Sequence, residues 1–172
     1  MQLKRLFRQG WLKRGVEEAE CESVADHSFG VAMLALLAPL PGGHQLDRGR
    51  AALLALVHEL GEVYAGDITP VDGVTKEEKA ALERVSVERV LSGHPEADAI
   101  SALWEEFETE ASPEARFVRQ LDRLEMGIQA AVYRAEGRPR MEEFLESADR
   151  SVREDGLREL LRLASDVAGI AP

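Results

Sequence analysis

The sequence predicts an all-α protein that folds as a single domain. Only 5% of its 172 residues are aromatic, and no stretch alternates apolar and polar residues as strands do. The long segments repeat their apolar residues at helical spacing instead. This length lies within the roughly 100–200 residues expected of one domain, and 45% apolar residues can fill one core.

The first two helices carry most of the polar residues of interest. One is predicted to follow Ser23, an expected N-cap, and to end near Leu37, before Pro39 and the Pro41-Gly-Gly turn. The next is predicted from about Arg48 to Val63. It is apolar on almost every side, which is typical of a helix surrounded by other helices. We therefore expect it to be the central helix.

The rest of the chain also has helical patterns with clear boundaries. Thr75 is predicted to open a charged helix that packs inward through Leu82, Val85 and Leu91. Further helices are expected over the i, i+3, i+4, i+7 series Ile100, Leu103, Trp104 and Phe107, from Ser112 and Pro113 to about Glu136, and near Met141–Ala148 and Leu157–Ala168.

Composition excludes several kinds of partner. The 32 acidic against 21 basic residues give a formal charge of -11, which repels nucleic acid polymers. No segment approaches about 18 uninterrupted apolar residues, so we expect no membrane span. The basic start lacks the apolar core of a secretory leader, and the single Cys21 cannot form an internal disulfide. A reduced, cytoplasmic protein is predicted.

Three ionisable groups occur within the most apolar predicted helix, in the segment Val57-His-Glu-Leu-Gly-Glu62. His58 and Glu62 are four residues apart and would project from one face, with Glu59 about 100° away. Burying such charges without compensation costs several kcal/mol each, and a bound cation would remove that cost. The alternative is a hydrogen-bonded core histidine beside an exposed polar stripe.

Other candidate residues are weaker when taken singly. Asp67 lies in the loop Gly66-Asp-Ile-Thr-Pro70, where an aspartate is equally an ordinary turn former. His27 falls in the first turns of a helix, which are usually solvated. Asp122 sits among apolar residues of a long helix, but it could pair there with a neighbouring arginine.

Together these residues carry a family resemblance. Ala25-Asp-His27, His58-Glu-Leu-Gly-Glu62, Gly66-Asp-Ile-Thr-Pro70 and Gln120-Leu-Asp122 occur in an order and spacing similar to those of the HD-domain superfamily, specifically its 5'-deoxynucleotidase branch. The resemblance covers roughly residues 3–151. It implies that residues 1–172 form a single HD-type helical bundle, with 152–172 as a C-terminal helix.

The resemblance implies a metal-dependent phosphohydrolase that converts deoxyribonucleoside 5'-monophosphates to deoxynucleoside and phosphate. One divalent ion is expected, of the group Mn, Co, Fe, Zn or Ni rather than Mg, because two imidazoles and two carboxylates would bind it. The implied roles are metal binding by His27, His58, Glu59 and Asp122, catalysis by Glu62 and Asp67, phosphate binding by Arg14 and Lys13, and sugar packing by Trp11.

One departure from the family pattern leaves alternatives open. The defining pair is His-Asp, whereas this chain has His58-Glu59, one methylene longer. The alternatives are another HD phosphohydrolase, acting on nucleoside triphosphates, alarmones or cyclic nucleotides, and a binding module with an impaired site. Members of the branch are usually dimers, so the apolar stripe of Leu157, Leu160, Leu161 and Ala164 and the N-terminal Leu3, Leu6 and Phe7 are predicted either to bind a second copy or to join the core.

Overall fold

The helical patterns of the sequence fold into one bundle in the computed structural model, which describes residues 2–42 and 45–168. These residues contain no strand, only an isolated bridge between Phe7 and Ser23, and the all-α prediction is confirmed. The α-helices are α1 (Gln9–Leu12), α2 (Val24–Leu37), α3 (Arg48–Val57), α4 (Glu62–Ala65), α5 (Lys76–Leu91), α6 (Ala97–Glu108), α7 (Pro113–Ala135), α8 (Glu142–Ser151) and α9 (Asp155–Ala168). Short 3-10 turns span Gln2–Arg5, Glu18–Glu20 and Pro70–Asp72. Among the helices described, none has the length and hydropathy needed to cross a membrane.

Three predicted helix starts are fixed by side-chain caps. The Ser23 hydroxyl accepts a hydrogen bond from the Asp26 backbone N–H, and Thr75 makes the same contact at the start of α5. Ser112 caps α7 in the same way, followed by proline at the first helical position. Each cap satisfies an N–H group that has no partner within its helix.

The central helix is α7, and the prediction that the Arg48 helix would be central is wrong. Helix α7 contacts α2, α3, α6, α8 and α9, whereas α3 contacts α2, α6 and α7. On α3 the apolar side chains of Leu53 and Leu56 are more than half exposed. A helix with apolar residues on every side can therefore leave part of its surface exposed to solvent.

The predicted helix from Arg48 to Val63 is interrupted. Helix α3 ends at Val57, and residues 58–61 form a turn in which backbone hydrogen bonds run three residues back, such as Glu62 N–H to the Glu59 carbonyl (3.0 Å). Gly61 permits the turn to lie against α5, since a Cβ there would come within 2.7 Å of the Glu83 Cβ. His58 consequently lies in the turn and Glu62 begins the short helix α4, so the two residues do not share one regular helix.

The inward face of α5 also differs from the prediction. Leu82 and Val85 are exposed, whereas Val87 and Leu91 are buried with Trp104 of α6 in a small second core. Helix α5 packs mainly on α4 and α6, so one narrow stripe of its surface is covered. Of the three residues predicted to pack inward, only Leu91 does so.

Helices α7, α8 and α9 approach closely at Gly127. A Cβ at this position would lie 2.6 Å from the Ala148 Cβ and 2.7 Å from a Leu161 methyl. We expect Gly127→Ala to lower the free energy of unfolding by about 1–2 kcal/mol, because overpacking of about 1–3 kcal/mol outweighs the helix propensity gained. Urea denaturation measures this, and a variant as stable as the parent would contradict the close packing.

Candidate metal centre

The N-terminal segment is held against the start of α2 by backbone hydrogen bonds. The Arg8 N–H donates to the Glu22 carbonyl (3.1 Å), and the Val24 N–H donates to the Leu6 carbonyl (2.8 Å). This pairing directs the Arg8 side chain inward, where only 13% of it remains exposed. The beginning of the chain thus forms one wall of the site.

Four side chains from distant parts of the chain meet beside this segment. His27 comes from the second turn of α2, His58 and Glu59 from the turn after α3, and Asp122 from the middle of α7. One nitrogen or carboxylate oxygen of each lies within 4.8 Å of the others. Both imidazoles and the aspartate are buried.

The two imidazole rings are oriented by their Nδ1 atoms. The His58 Nδ1 lies 2.7 Å from the Ala55 carbonyl oxygen, and the His27 Nδ1 lies 2.5 Å from a Glu125 carboxylate oxygen. Both partners are acceptors, so each Nδ1 carries the donated hydrogen. Each Nε2 is buried, lacks a hydrogen-bond partner among the described residues, and lies close to the carboxylates of the cluster. In its neutral form each imidazole presents an Nε2 lone pair, and two such nitrogens beside two carboxylates form a donor set that fits a divalent cation.

Opposite charges are concentrated at the cluster. Burial alone would favour neutral carboxyl groups, but His58, Arg8 and His27 hold the pKa of Glu59 well below its usual range. The pKa of Asp122 is likewise lowered, against burial, by His27 and Arg123. Both carboxylates are therefore ionised across the neutral range, which is the state that binds a cation.

The protonation of His27 reflects the same charges. Burial and the Arg8 charge oppose its protonation, whereas the carboxylates of Asp122 (3.2 Å from Nε2) and Glu125 (2.5 Å from Nδ1) raise the pKa of His27 to about 9. A cation bound at Nε2 would compete with this proton for the same lone pair.

Glu62 and Asp67 lie next to the cluster. Burial, followed by the charges of Glu59 and Asp67, raises the pKa of Glu62 to about 10, and one of its buried oxygens has no partner in the part of the chain described. Lys79 Nζ lies 4.0 Å from the other oxygen. Asp67 accepts a hydrogen bond from the Gln9 N–H (2.6 Å), so the N-terminal segment fixes its position.

The three predicted substrate-binding residues are placed elsewhere. Trp11 is buried, donates to a Glu22 oxygen (2.7 Å) and packs on Tyr133 and Phe144, which leaves no face open for a sugar. Lys13 binds Asp72 (2.6 Å) and Thr69, and Arg14 binds Glu143, both at the protein surface. In the structure these side chains are held by partners outside the cluster.

The sequence reasoning missed Arg8. Its Nη1 atom lies 3.4 Å from a Glu59 oxygen and its Nε lies 3.9 Å from a Glu22 oxygen. Burial by itself would lower the pKa of Arg8, but the surrounding carboxylates, led by Glu59, raise it further above its usual value. No helical pattern marks Arg8, because the bridge between Phe7 and Ser23 determines its position.

The family relationship is consistent with this geometry. A sequence model of the HD domain matches residues 1–160. The chain belongs to the HD-domain family. Proteins of this family depend on metals, and the residues described in this HD-domain protein include a His/Glu/Asp cluster that could hold one.

Similar proteins extend the comparison over most of the chain. This HD-domain protein is 41% identical to the 5'-deoxynucleotidase HDDC2 of Mus musculus over 150 residues, which cover 85% of this chain and 73% of the mouse protein. Among solved structures, the PH0347 protein of Pyrococcus horikoshii has a TM-score of 0.78 at 33% identity, over 96% of this chain and 94% of that one. A predicted metal-dependent phosphohydrolase of Magnetospirillum magnetotacticum has a TM-score of 0.69 at 26% identity, over 98% and 89%. The resemblance to the 5'-deoxynucleotidase branch is confirmed.

Proposed function

We propose that this chain is a metal-dependent phosphomonoesterase that hydrolyses deoxyribonucleoside 5'-monophosphates to deoxynucleoside and phosphate. The observation that carries the proposal is the pair of buried Nε2 atoms of His27 and His58, which have no hydrogen-bond partner among residues 2–42 and 45–168 and lie beside the carboxylates of Glu59 and Asp122. Similarity to curated 5'-deoxynucleotidases supports the substrate class.

His27, His58, Glu59 and Asp122 would hold one divalent ion. Two imidazoles with two carboxylates suit Mn, Co, Fe, Zn or Ni better than Mg, and we propose Mn or Co for assays. When bound, such an ion lowers the pKa of a water molecule and offsets charge on the phosphoryl group.

Three further side chains have proposed roles in the reaction. Arg8 replaces Arg14 and Lys13 as the group that binds phosphate, because its buried guanidinium can donate two parallel hydrogen bonds to phosphate oxygens. Glu62 accepts a proton from the attacking water through its carboxylate, which is the form that the positive charge of a bound ion would favour; without the ion, burial raises the pKa of Glu62 to about 10. Asp67 delivers a proton to the leaving 5'-oxygen or binds the sugar hydroxyl.

Discrimination between deoxyribose and ribose has to arise from exclusion of the 2'-hydroxyl. A missing hydroxyl offers nothing to bind, and shape alone gives roughly 10- to 100-fold discrimination. We propose a preference of that size for deoxynucleotides.

A phosphate-release assay tests the function. Protein supplied with Mn or Co should release phosphate from a panel of deoxyribonucleoside 5'-monophosphates, with slower release from the matching ribonucleotides. Pyrophosphate or triphosphate as the product from nucleoside triphosphates would point instead to a different HD phosphohydrolase activity. No turnover of any nucleotide, with an ion bound, would support an impaired binding module.

The His58-Glu59 pair gives a test of side-chain length. The Glu59 oxygen already lies 3.3 Å from the His58 Nε2 and 3.8 Å from the His27 Nε2, so the longer side chain places it within the cluster. We expect Glu59→Asp to lower kcat/KM about 100-fold, as misplacement by about 1 Å can do, although it restores the family's pair. Glu59→Gln keeps the length of the side chain and removes its charge, so it separates the effect of length from the effect of charge. An Asp variant as active as the parent would contradict this role of length.

We also propose a cytoplasmic homodimer. The predicted C-terminal stripe is not available as an interface, because Leu157 and Leu161 are buried in the core of the same chain. A different apolar surface is exposed along α2, at helical spacing, and consists of Phe29, Met33, Leu36 and Leu37. Sedimentation should give a dimer for the parent and a monomer for Phe29→Glu; a monomeric parent would overturn the proposal. Cell fractionation tests the compartment.

A further inference from the structure

His27 is shared between two groups of potential metal ligands. Its Nε2 atom faces Asp122 (3.2 Å) and Glu59 (3.8 Å), whereas its Nδ1 atom faces Glu125 (2.5 Å). Glu22 lies near enough to complete a second group with His27 and Glu125. A neutral imidazole offers one lone pair and one N–H, so only one of the two groups can use His27 as a ligand.

The contacts of the His27 Nδ1 atom indicate which of the two groups can use His27 as a ligand. Glu125 approaches Nδ1 at hydrogen-bond distance, and its side chain is only 12% exposed. Glu22 is engaged separately, since it accepts a hydrogen bond from Trp11 Nε1 (2.7 Å) and lies beside Arg8. The Nδ1 side therefore has the contacts of a hydrogen-bonded pair, while the Nε2 atom has no hydrogen-bond partner among the described residues.

Gly30 provides the space that Glu125 occupies. A Cβ at Gly30 would lie 2.7 Å from a Glu125 carboxylate oxygen and 3.0 Å from its Cγ atom. The atoms in conflict belong to the end of a side chain, so an alanine would displace the carboxylate rather than separate α2 from α7. Gly30 lies in the interior of α2, where glycine is otherwise unfavourable.

We propose that Glu125 is a positioning residue. It fixes the Nδ1–H tautomer and the ring orientation of His27, so that Nε2 faces the metal cluster. Gly30 is required because it leaves space for the Glu125 carboxylate. The inference rests on the proposed metal centre. It assigns no second ion to Glu22 and Glu125, because their shared histidine presents an N–H on that side. Carboxylate partners of this kind raise the basicity of a ligating imidazole and restrict its rotation.

Titration of the 172-residue chain with Co, followed by visible absorption of the bound ion, tests the proposal. The parent should bind one ion, and Glu125→Leu should weaken binding about 10- to 100-fold. Glu125→Gln, whose amide oxygen still accepts the hydrogen bond, should recover part of the loss. Nitrogen NMR of the Zn-loaded protein should show the hydrogen of His27 on Nδ1 in the parent. Its signal should shift in Glu125→Leu.

The glycine supplies an independent variant that leaves the carboxylate in the sequence. Gly30→Ala should weaken Co binding while the melting temperature stays the same or rises, since alanine favours the helix. If Gly30 acts through Glu125, the Gly30→Ala, Glu125→Leu double variant should bind no more weakly than Glu125→Leu alone. A parent that binds no ion would refute the metal centre itself. Undiminished binding by Glu125→Leu, or two ions bound by the parent, would refute only the role of Glu125.

Discussion

Phosphate release is expected to fall by about 1,000-fold or more in His58→Ala, equivalent to about 4 kcal/mol of transition-state stabilisation. The variant removes one of the two buried Nε2 atoms, together with the imidazole that lies 3.3 Å from Glu59 and packs edge-on against Phe107. Initial rates with saturating Mn or Co measure the loss, and the metal content of the variant should fall with them.

A matched control is available in His94. This histidine is exposed after α5, where its Nδ1 accepts a hydrogen bond from the Glu96 backbone N–H. His94→Ala should retain parental activity and metal content. If His58→Ala keeps more than about a tenth of the parental rate while circular dichroism shows an intact fold, the proposed ligand set is wrong.

Glu62→Gln is expected to lower kcat by about 100- to 10,000-fold while leaving the bound metal in place. The amide has the shape of the carboxyl group but cannot take a proton from water. Burial already raises the pKa of Glu62, so a neutral side chain fits this position without loss of stability. Stopped assays of kcat, paired with metal analysis, separate this effect from that of losing a ligand.

Glu83→Gln is the control for Glu62. Glu83 is also a buried glutamate with a raised pKa, and it lies 3.3 Å from the same Lys79 ammonium, but it belongs to α5 and is not part of the metal cluster. Its replacement should change kcat less than about fivefold, well below the loss expected of a proton-transfer group. Comparable losses in both variants would indicate a shared structural effect instead of proton transfer by Glu62.

Much of the fold could be predicted because its signals are local. The caps at Ser23, Thr75 and Ser112 and the apolar spacing of the helices require information from only a few neighbouring residues. The interruption after Val57 could not be predicted in this way. It depends on how closely α5 approaches Gly61, which is a contact between distant parts of the chain.

In the candidate site, too, some residues could be predicted from local motifs, whereas others depend on contacts between distant parts of the chain. His27, His58, Glu59 and Asp122 were proposed from motif order, and the structure places their ligand atoms together. Arg8 and Glu125 have no comparable signal, because each matters through a partner far away in the sequence. Trp11, Lys13 and Arg14 were predicted as substrate contacts from the family resemblance, and the structure adds Arg8, which backbone pairing brings inward.

The spread of the four clustered side chains along the chain has a consequence for biosynthesis. His27 and Asp122 are almost a hundred residues apart, which corresponds to roughly 5–20 s of translation at about 5–20 residues per second. During that interval the nascent chain contains His27, His58 and Glu59 without Asp122, so the cluster is incomplete. On the proposed ligand set, an ion can be bound by all four residues only after α7 has emerged from the ribosome.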